Sequence, residues 1–99
     1  LDRGIALAPH AAGLRFNRAR LQWDHAPSDD ALADFRLAVE LYPNLAVHRF
    51  WLARALRARG ADGWRGHYDA ALALSAAADM PRRMLDAEEE AEARAAVGE

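Results

Sequence analysis

A recurrence with a period of about 34 residues restricts the fold of this chain more than any other feature of its sequence. Pro43 repeats Pro9 at this offset, and the two prolines end the similar segments 39–43 and 5–9. Five further pairs recur at the same offset: Leu1 and Phe35, Gly4 and Ala38, Leu7 and Leu41, Phe16 and Phe50, Ala19 and Ala53. A third copy of the spacing, one position short of a full period, is Tyr68, Ala71 and Leu74. A period of this length predicts an array of repeated structural units.

The composition indicates that the repeated unit is helical. Ala, Leu and Arg dominate, Thr is absent and every basic residue is Arg. These residues favour helices over strands by intrinsic propensity. With 99 residues, 53% of them hydrophobic and 28% charged, the chain has the size of one domain. We therefore predict an all-α chain without a sheet.

Proline, glycine and capping residues divide the chain into five predicted helices. Their expected bounds are about Ala11–Trp23, Asp29–Tyr42, Leu45–Arg59, Trp64–Ala77 and Asp79–Gly98. Ser28 and Asn44 are the expected N-caps of the second and third helices, and Gly60 is the expected stop of the third. The predicted organisation is a remnant of a preceding repeat (1–9), two repeats (11–43 and 45–77) and a capping helix (79–98).

The spacing within the second and third helices carries a family resemblance. The residues concerned are Ala31, Phe35, Ala38, Leu41 and Pro43, followed by Leu52, Ala53 and Leu56. With the period, this pattern resembles the tetratricopeptide repeat. The resemblance implies a right-handed superhelix of antiparallel helix pairs that ends in a capping helix. The residues expected in its core are Phe35, Ala38, Leu41, Leu52, Ala53, Leu56, Tyr68 and Leu74.

Two parts of the chain depart from the pattern. In the first helix the apolar stripe is Phe16, Ala19 and Trp23, so we expect that helix to be rotated or its Arg stems to cover the core. Leu1 corresponds to Phe35, in the middle of a helix. We therefore expect the natural protein to extend N-terminally and to supply the rest of a helix pair, as the C-terminal part of a longer array.

The sequence offers few residues for catalysis or metal binding. It contains no Cys, Lys or Thr, and Ser28 and Ser75 lie outside any G-x-S-x-G motif. The four histidines form no H-x3-H pair, and Gly60–Gly63 lacks the Lys of a phosphate loop. We expect no enzyme activity, no cofactor and no metal.

Aromatic and Arg side chains mark a candidate binding groove. The seven candidates are Phe16, Asn17 and Arg20 on the first helix, and Phe50, Trp51, Arg54 and Arg57 on the third. The resemblance places them on the concave, ligand-facing surface, and aromatic residues beside Arg are common in binding hot spots. One alternative stays open: Phe16, Trp23 and Phe50 are core residues and the Arg side chains a solvated face.

The leading interpretation is a protein interaction scaffold that binds a peptide or protein segment with acidic residues. The formal net charge of -2 argues against nucleic acid, and no apolar run is long enough to span a membrane. The expected compartment is the cytoplasm, with the periplasm left open because Cys is absent. Alternatives are an accessory domain of a larger enzyme or assembly factor, and a self-assembly module. In the last case the acidic fifth helix, with Glu88, Glu89, Glu90 and Glu92, occupies the basic surface of a neighbouring copy.

Overall fold

The described part of the chain is built from helices alone. A computed structural model describes residues 9–25, 28–78 and 84–98, and within these ranges there is no strand. The helices are α1 (Pro9–His25), α2 (Asp29–Leu41), α3 (Ala46–Ala58), α4 (Trp64–Ala77) and α5 (Ala87–Val97). The all-α prediction is confirmed. None of these helices has the length and apolar character that crossing a membrane requires.

Local signals define the ends of α2 and α3. The backbone N–H of Ala31 donates to Ser28 Oγ at 3.1 Å, which confirms Ser28 as the N-cap of α2. Gly60 follows α3 with a φ of 71°, a left-handed conformation that glycine adopts without steric cost. The prediction for Asn44 is wrong: the N-cap of α3 is Leu45, which makes no side-chain cap hydrogen bond.

The first and last helices differ from their predicted bounds. Helix α1 begins at Pro9 rather than Ala11, which is compatible with proline's tolerance in a first helical turn. Helix α5 begins at Ala87, where a capping box joins Asp86 and Glu89 through hydrogen bonds of 2.8 and 3.0 Å. Residues 84–86 are not helical, and the predicted start at Asp79 lies outside the described residues.

Contacts between helix ends show that α2 runs antiparallel to α3, and α4 antiparallel to α5. Asp29, at the start of α2, forms a salt bridge with Arg59 after the end of α3. In the same way, Arg65 near the start of α4 donates to the backbone oxygen of Val97 at the end of α5. Between these two pairs, Arg57 in the last turn of α3 lies over the ring of Trp64, the first residue of α4.

The core consists of aromatic rings packed between alanine-lined helix faces. The rings of Phe16 and Phe35 meet edge to face with centroids 5.7 Å apart and an interplanar angle of 68°. Those of Phe50 and Tyr68 have nearly the same geometry, at 5.8 Å and 67°. The alanines that let the helices approach are fully or almost fully buried: Ala19, Ala31, Ala38, Ala53 and Ala71.

Six of the eight predicted core residues are buried. Leu41 and Leu74 are instead half-buried. Leu41 is the last residue of α2, where the chain turns away from the packed helices, and Leu74 packs against the core from its edge. The apolar stripe predicted for the first helix is confirmed, because Phe16, Ala19 and Trp23 are all buried.

Candidate binding surface

The seven predicted groove residues divide into three buried rings and four more accessible side chains. Phe16, Phe50 and Trp51 are only 4%, 0% and 6% exposed, so a partner has almost no area on them to contact. For Phe16 and Phe50, as for Trp23, the structure shows the alternative interpretation, that they are core residues. Trp51, which that interpretation did not include, is buried as well. Asn17 is exposed, and the Arg side chains at 20, 54 and 57 are half-buried.

Each of the three arginines lies over an aromatic ring. The guanidinium carbon of Arg20 is 6.0 Å from the Phe16 ring centroid, and that of Arg57 is 4.8 Å from the Trp64 centroid. Arg54 lies over two rings, at 4.8 Å from Phe50 and 4.6 Å from Trp51. Such stacking attracts the cation to the ring face and restricts the side chain. We call Arg20, Arg54 and Arg57 the arginine surface.

Arg54 and Tyr68 together hold the carboxylate of Glu92 from α5. Arg54 Nε donates to Glu92 Oε2 at 3.0 Å, and Arg54 Nη2 makes a second, close hydrogen bond to Oε1. The Tyr68 hydroxyl donates to Oε2 at 2.8 Å. We call this pair of donors, Arg54 and Tyr68, the Glu92 clamp. A bidentate Arg–carboxylate pair of this kind is charge-assisted and geometrically specific.

The contacts between the Glu92 clamp and its ligand shift the pKa values of Glu92 and Tyr68. Burial alone would raise the pKa of Glu92, but the hydrogen bonds from Arg54 and Tyr68, with the charges of Arg54 and Arg57, lower it overall. The pKa of Tyr68 is strongly raised, first by burial and then by its hydrogen bond to Glu92. Glu92 is therefore an anion and Tyr68 a neutral donor at neutral pH.

Comparison with protein-family models, with curated proteins and with solved structures finds no match to this chain. What the chain binds has to follow from its own side chains. Among these, the clamp is a carboxylate-binding arrangement that already contains a ligand group.

The acidic helix meets the arginine surface within one chain. Of its four predicted acidic residues, only Glu92 reaches the clamp. Glu89 completes the capping box, Glu90 forms a salt bridge with Arg94, and Glu88 is exposed. That this helix binds a neighbouring copy stays a prediction. Within one chain, a single glutamate of the helix, Glu92, already pairs with the arginine surface.

Arg20 is the open counterpart of Arg54. It precedes Arg54 by one period, as Phe16 precedes Phe50. The residue in the place of Tyr68 is Phe35, which has no hydroxyl group. Among the residues that the structure describes, no carboxylate pairs with Arg20. Arg20 is half-buried and lies near the exposed Asn17 on the same helix.

The polar side chains elsewhere act as structural contacts. Ser28 caps α2, and Ser75 Oγ accepts from the backbone N–H of Leu85 at 2.9 Å. Arg15 donates to Asp34 between α1 and α2 at 3.0 and 2.7 Å. Within residues 9–25, 28–78 and 84–98, no three His, Asp or Glu side chains are grouped so that they could hold a metal ion.

Sequence reasoning placed Tyr68 in the core and did not identify it as a site residue. Its side chain is indeed buried, but its hydroxyl reaches the edge of the core, and a buried tyrosine usually has such a partner. The available signal was that a tyrosine follows Phe35 at nearly the sequence period, where the recurrence has another aromatic residue. Nothing local pairs Arg54 with Glu92, because the two residues are 38 positions apart.

Proposed function

We propose that this chain is a helical-repeat module, similar to the tetratricopeptide repeat, that binds an acidic segment of another protein and carries out no catalysis. The observation that supports this most is the Glu92 clamp. An Arg–Tyr pair, supported by buried rings, holds a glutamate that a helix presents. A surface that binds one acidic helix has the chemistry to bind another.

The repeat part of the proposal is supported by equivalent contacts in the two helix pairs. Phe16 and Phe35 have the same ring geometry as Phe50 and Tyr68, which follow them by one period to within a single position. The same offsets relate two polar contacts: Arg15 with Asp34, and Arg49 with His67 at 3.2 Å. Recurrence of both contact types favours two copies of one unit, and the right-handed superhelix belongs to this proposal.

The proposed contacts with the partner come from polar atoms above the core. Asn17 and Arg20 offer accessible donors, and Arg54 and Arg57 add positive charge. The buried rings, including Phe16, Phe50 and Trp51, support the arginines from beneath. An arginine already restricted by stacking loses less entropy on binding. Positive charge on this face also steers an acidic partner during association.

Arg20 gives the sharpest test, because its described contact is with Phe16 and not with α5. The partner is recovered from the source cells by affinity capture on the 99-residue chain and identified by mass spectrometry. Calorimetry then measures its binding to the wild-type chain and to Arg20→Glu. We expect at least tenfold weaker binding, about 1.4 kcal/mol, because a repulsive charge replaces an attractive one. A double variant, Arg54→Glu with Arg57→Glu, should lose at least as much.

Arg36→Glu is the matched control, since Arg36 is exposed on α2 and lies outside the arginine surface. It should leave binding unchanged, and far-UV circular dichroism should give the same helix content for all variants. Unchanged affinity in Arg20→Glu and in the double variant would place the partner on another face. If Arg36→Glu weakened binding as much as Arg20→Glu, the loss of affinity would be due to the net charge of the chain and not to a specific contact.

Self-assembly is a second candidate, favoured by one observation. Leu14 and Leu21 lie seven residues apart on α1 and are each 64% exposed. Residues at this spacing share a helix face, so the two side chains form an apolar stripe away from the core. The arginine surface takes no part in it.

A further inference from the structure

Helix α5 contacts its neighbours through buried apolar side chains and through a small set of polar contacts. The buried side chains in α5 and the residues just before it are Leu85, Ala93 and Ala96. Alanine removes little apolar surface from water, so this burial contributes modestly. The polar contacts of the helix include the Ser75 hydrogen bond to the Leu85 backbone, the Arg65 hydrogen bonds to the Ala96 and Val97 carbonyls, and the Glu92 clamp. The clamp joins two opposite charges.

The Glu92 clamp is selective for a carboxylate. Glu92 receives three hydrogen bonds from Arg54 and Tyr68, and all three donors match the two oxygens of an anion. The side chains of Arg54 and Glu92 are 33% and 32% exposed, so water screens their attraction only in part. A neutral glutamine at this position would keep the shape and lose the charge-assisted part of these bonds.

The residues beside Glu92 define the kind of helix that fits. Ala93 and Ala96 have no exposed area, so α5 approaches its neighbours closely along this edge. Larger side chains there would hold the helix away and draw Glu92 out of reach of Tyr68. The fitting pattern is thus a glutamate followed by small residues at positions i+1 and i+4.

We infer that α5 is an internal ligand of the Glu92 clamp, and that the protein partner displaces it with an acidic helix of its own that carries this glutamate and small-residue pattern. The inference rests on the proposed function and states its regulation and ligand class. Because α5 is tethered, its effective concentration at the clamp is on the order of millimolar. The apparent affinity for a partner is therefore lower than that of an unoccupied clamp. It equals the affinity of the unoccupied clamp multiplied by the fraction of molecules in which α5 is released.

The test uses a fluorescently labelled synthetic peptide of residues 84–98 and the full 99-residue chain. Fluorescence anisotropy measures peptide binding to the wild-type chain and to Glu92→Gln. The substitution weakens the internal ligand and leaves the clamp intact. We expect the Glu92→Gln chain to bind the peptide at least tenfold more tightly than the wild-type chain.

Three matched variants isolate the clamp. Glu88→Gln makes the same charge change at an exposed position of α5 and should bind the peptide as the wild-type chain does. Arg54→Ala, added to Glu92→Gln, should abolish the gain. A peptide that carries the Glu92→Gln substitution should bind the Glu92→Gln chain at least tenfold more weakly than the unmodified peptide. Circular dichroism of each chain verifies that the helices remain folded.

Two results would overturn the inference: equal peptide binding by the wild-type and Glu92→Gln chains, or equal binding of the unmodified and the substituted peptide. A wild-type dimer that excess peptide dissociates would also overturn it, because the occupant would then be α5 of a second copy. The Arg20→Glu measurement with the recovered partner does not involve α5. Failure of this inference is therefore distinguishable from failure of the proposed function.

Discussion

At the scale of single residues, the surroundings of Arg54 and Arg20 differ by one hydroxyl group, that of Tyr68. Arg54 stacks on Phe50 and binds the same carboxylate as Tyr68. Arg20 stacks on Phe16, and the residue that corresponds to Tyr68 is there Phe35. The ring geometry is otherwise the same in both pairs. Tyr68 therefore packs as Phe35 does and in addition offers a hydroxyl group that donates a hydrogen bond.

Phe35 is the residue whose truncation should destabilise the core most clearly. Its side chain is fully buried, and its ring centroid lies 5.7, 5.9 and 5.7 Å from those of Phe16, Trp23 and Trp51. Phe35→Ala should cost roughly 3 to 5 kcal/mol of unfolding free energy, because it removes apolar contacts and leaves a cavity. Urea denaturation followed by circular dichroism measures the change.

Leu14→Ala is the control for this substitution, since Leu14 is exposed and its truncation leaves no cavity. Its unfolding free energy should stay within about 0.5 kcal/mol of the wild-type value. A Phe35→Ala chain as stable as Leu14→Ala would contradict the packing described for α1, α2 and α3.

His48 should make stability fall as the pH falls below about 6.5. It is 7% exposed, and burial lowers its pKa, an effect that backbone carbonyls of Ala38 and Tyr42 partly oppose. Between the lowered pKa of the folded state and the ordinary value, the unfolded chain binds more protons, so acid favours unfolding. The loss is at most about 1.4 kcal/mol per pH unit for one such group.

His48→Phe isolates this contribution, because a phenylalanine fits among the Phe16 and Tyr42 rings that surround His48. Urea midpoints between pH 7 and pH 5 should fall less steeply in this variant than in the wild-type chain. The pKa of His67 is also lowered, by burial and then by the charges of Arg49 and Arg36, so part of the slope should persist. Identical slopes in the two chains would contradict the role of His48.

At the scale of elements, local signals predict two helix ends and miss a third. Ser28 caps α2 and Gly60 follows α3, as the sequence indicates, whereas Asn44 does not cap α3. The capping box of Asp86 and Glu89 precedes the observed start of α5 at Ala87. A hydrogen-bonded cap of this kind stabilises the first turn of a helix directly.

Asp86→Ala should therefore weaken α5. The substitution removes the acceptor for the backbone N–H of Glu89 and should cost about 1 kcal/mol. Asp86→Asn keeps an acceptor of similar capping strength and should recover most of this loss. Hydrogen exchange of the α5 amides measures the effect locally. Equal protection in the wild-type chain and in Asp86→Ala would show that the cap contributes little to α5.

At the scale of the whole molecule, the period relates residues along the chain but does not show which side chains face solvent. Phe16 and Phe50 lie one period apart and are both buried, because neighbouring helices cover them. The contact between Arg54 and Glu92 joins α3 to α5, and no local pattern encodes such a distance along the chain. The helical fold was predictable because composition and local signals along the chain encode it. The clamp was not predictable, because it joins residues that are far apart in sequence.

The oligomeric state separates the proposed function from the self-assembly alternative. The radius of gyration of one chain is 13.0 Å, close to the value of about 13 Å expected for a compact domain of this length. Leu14 and Leu21 are the two strongly exposed leucines on α1. Two leucines on one helix bury far less than the ~1,000 Å² of a stable interface.

We therefore expect the 99-residue chain to be monomeric at low concentration and to dimerise only weakly, with a Kd above about 100 μM. Light scattering over a concentration series measures the mass directly. Leu14→Glu combined with Leu21→Glu should remove any association seen at the highest concentration, because the charges keep the α1 stripe hydrated. Arg54→Glu with Arg57→Glu should leave this association unchanged, since those residues lie on α3. A tight dimer that the leucine variant abolishes would favour self-assembly as the function, and binding of an acidic partner would then be secondary.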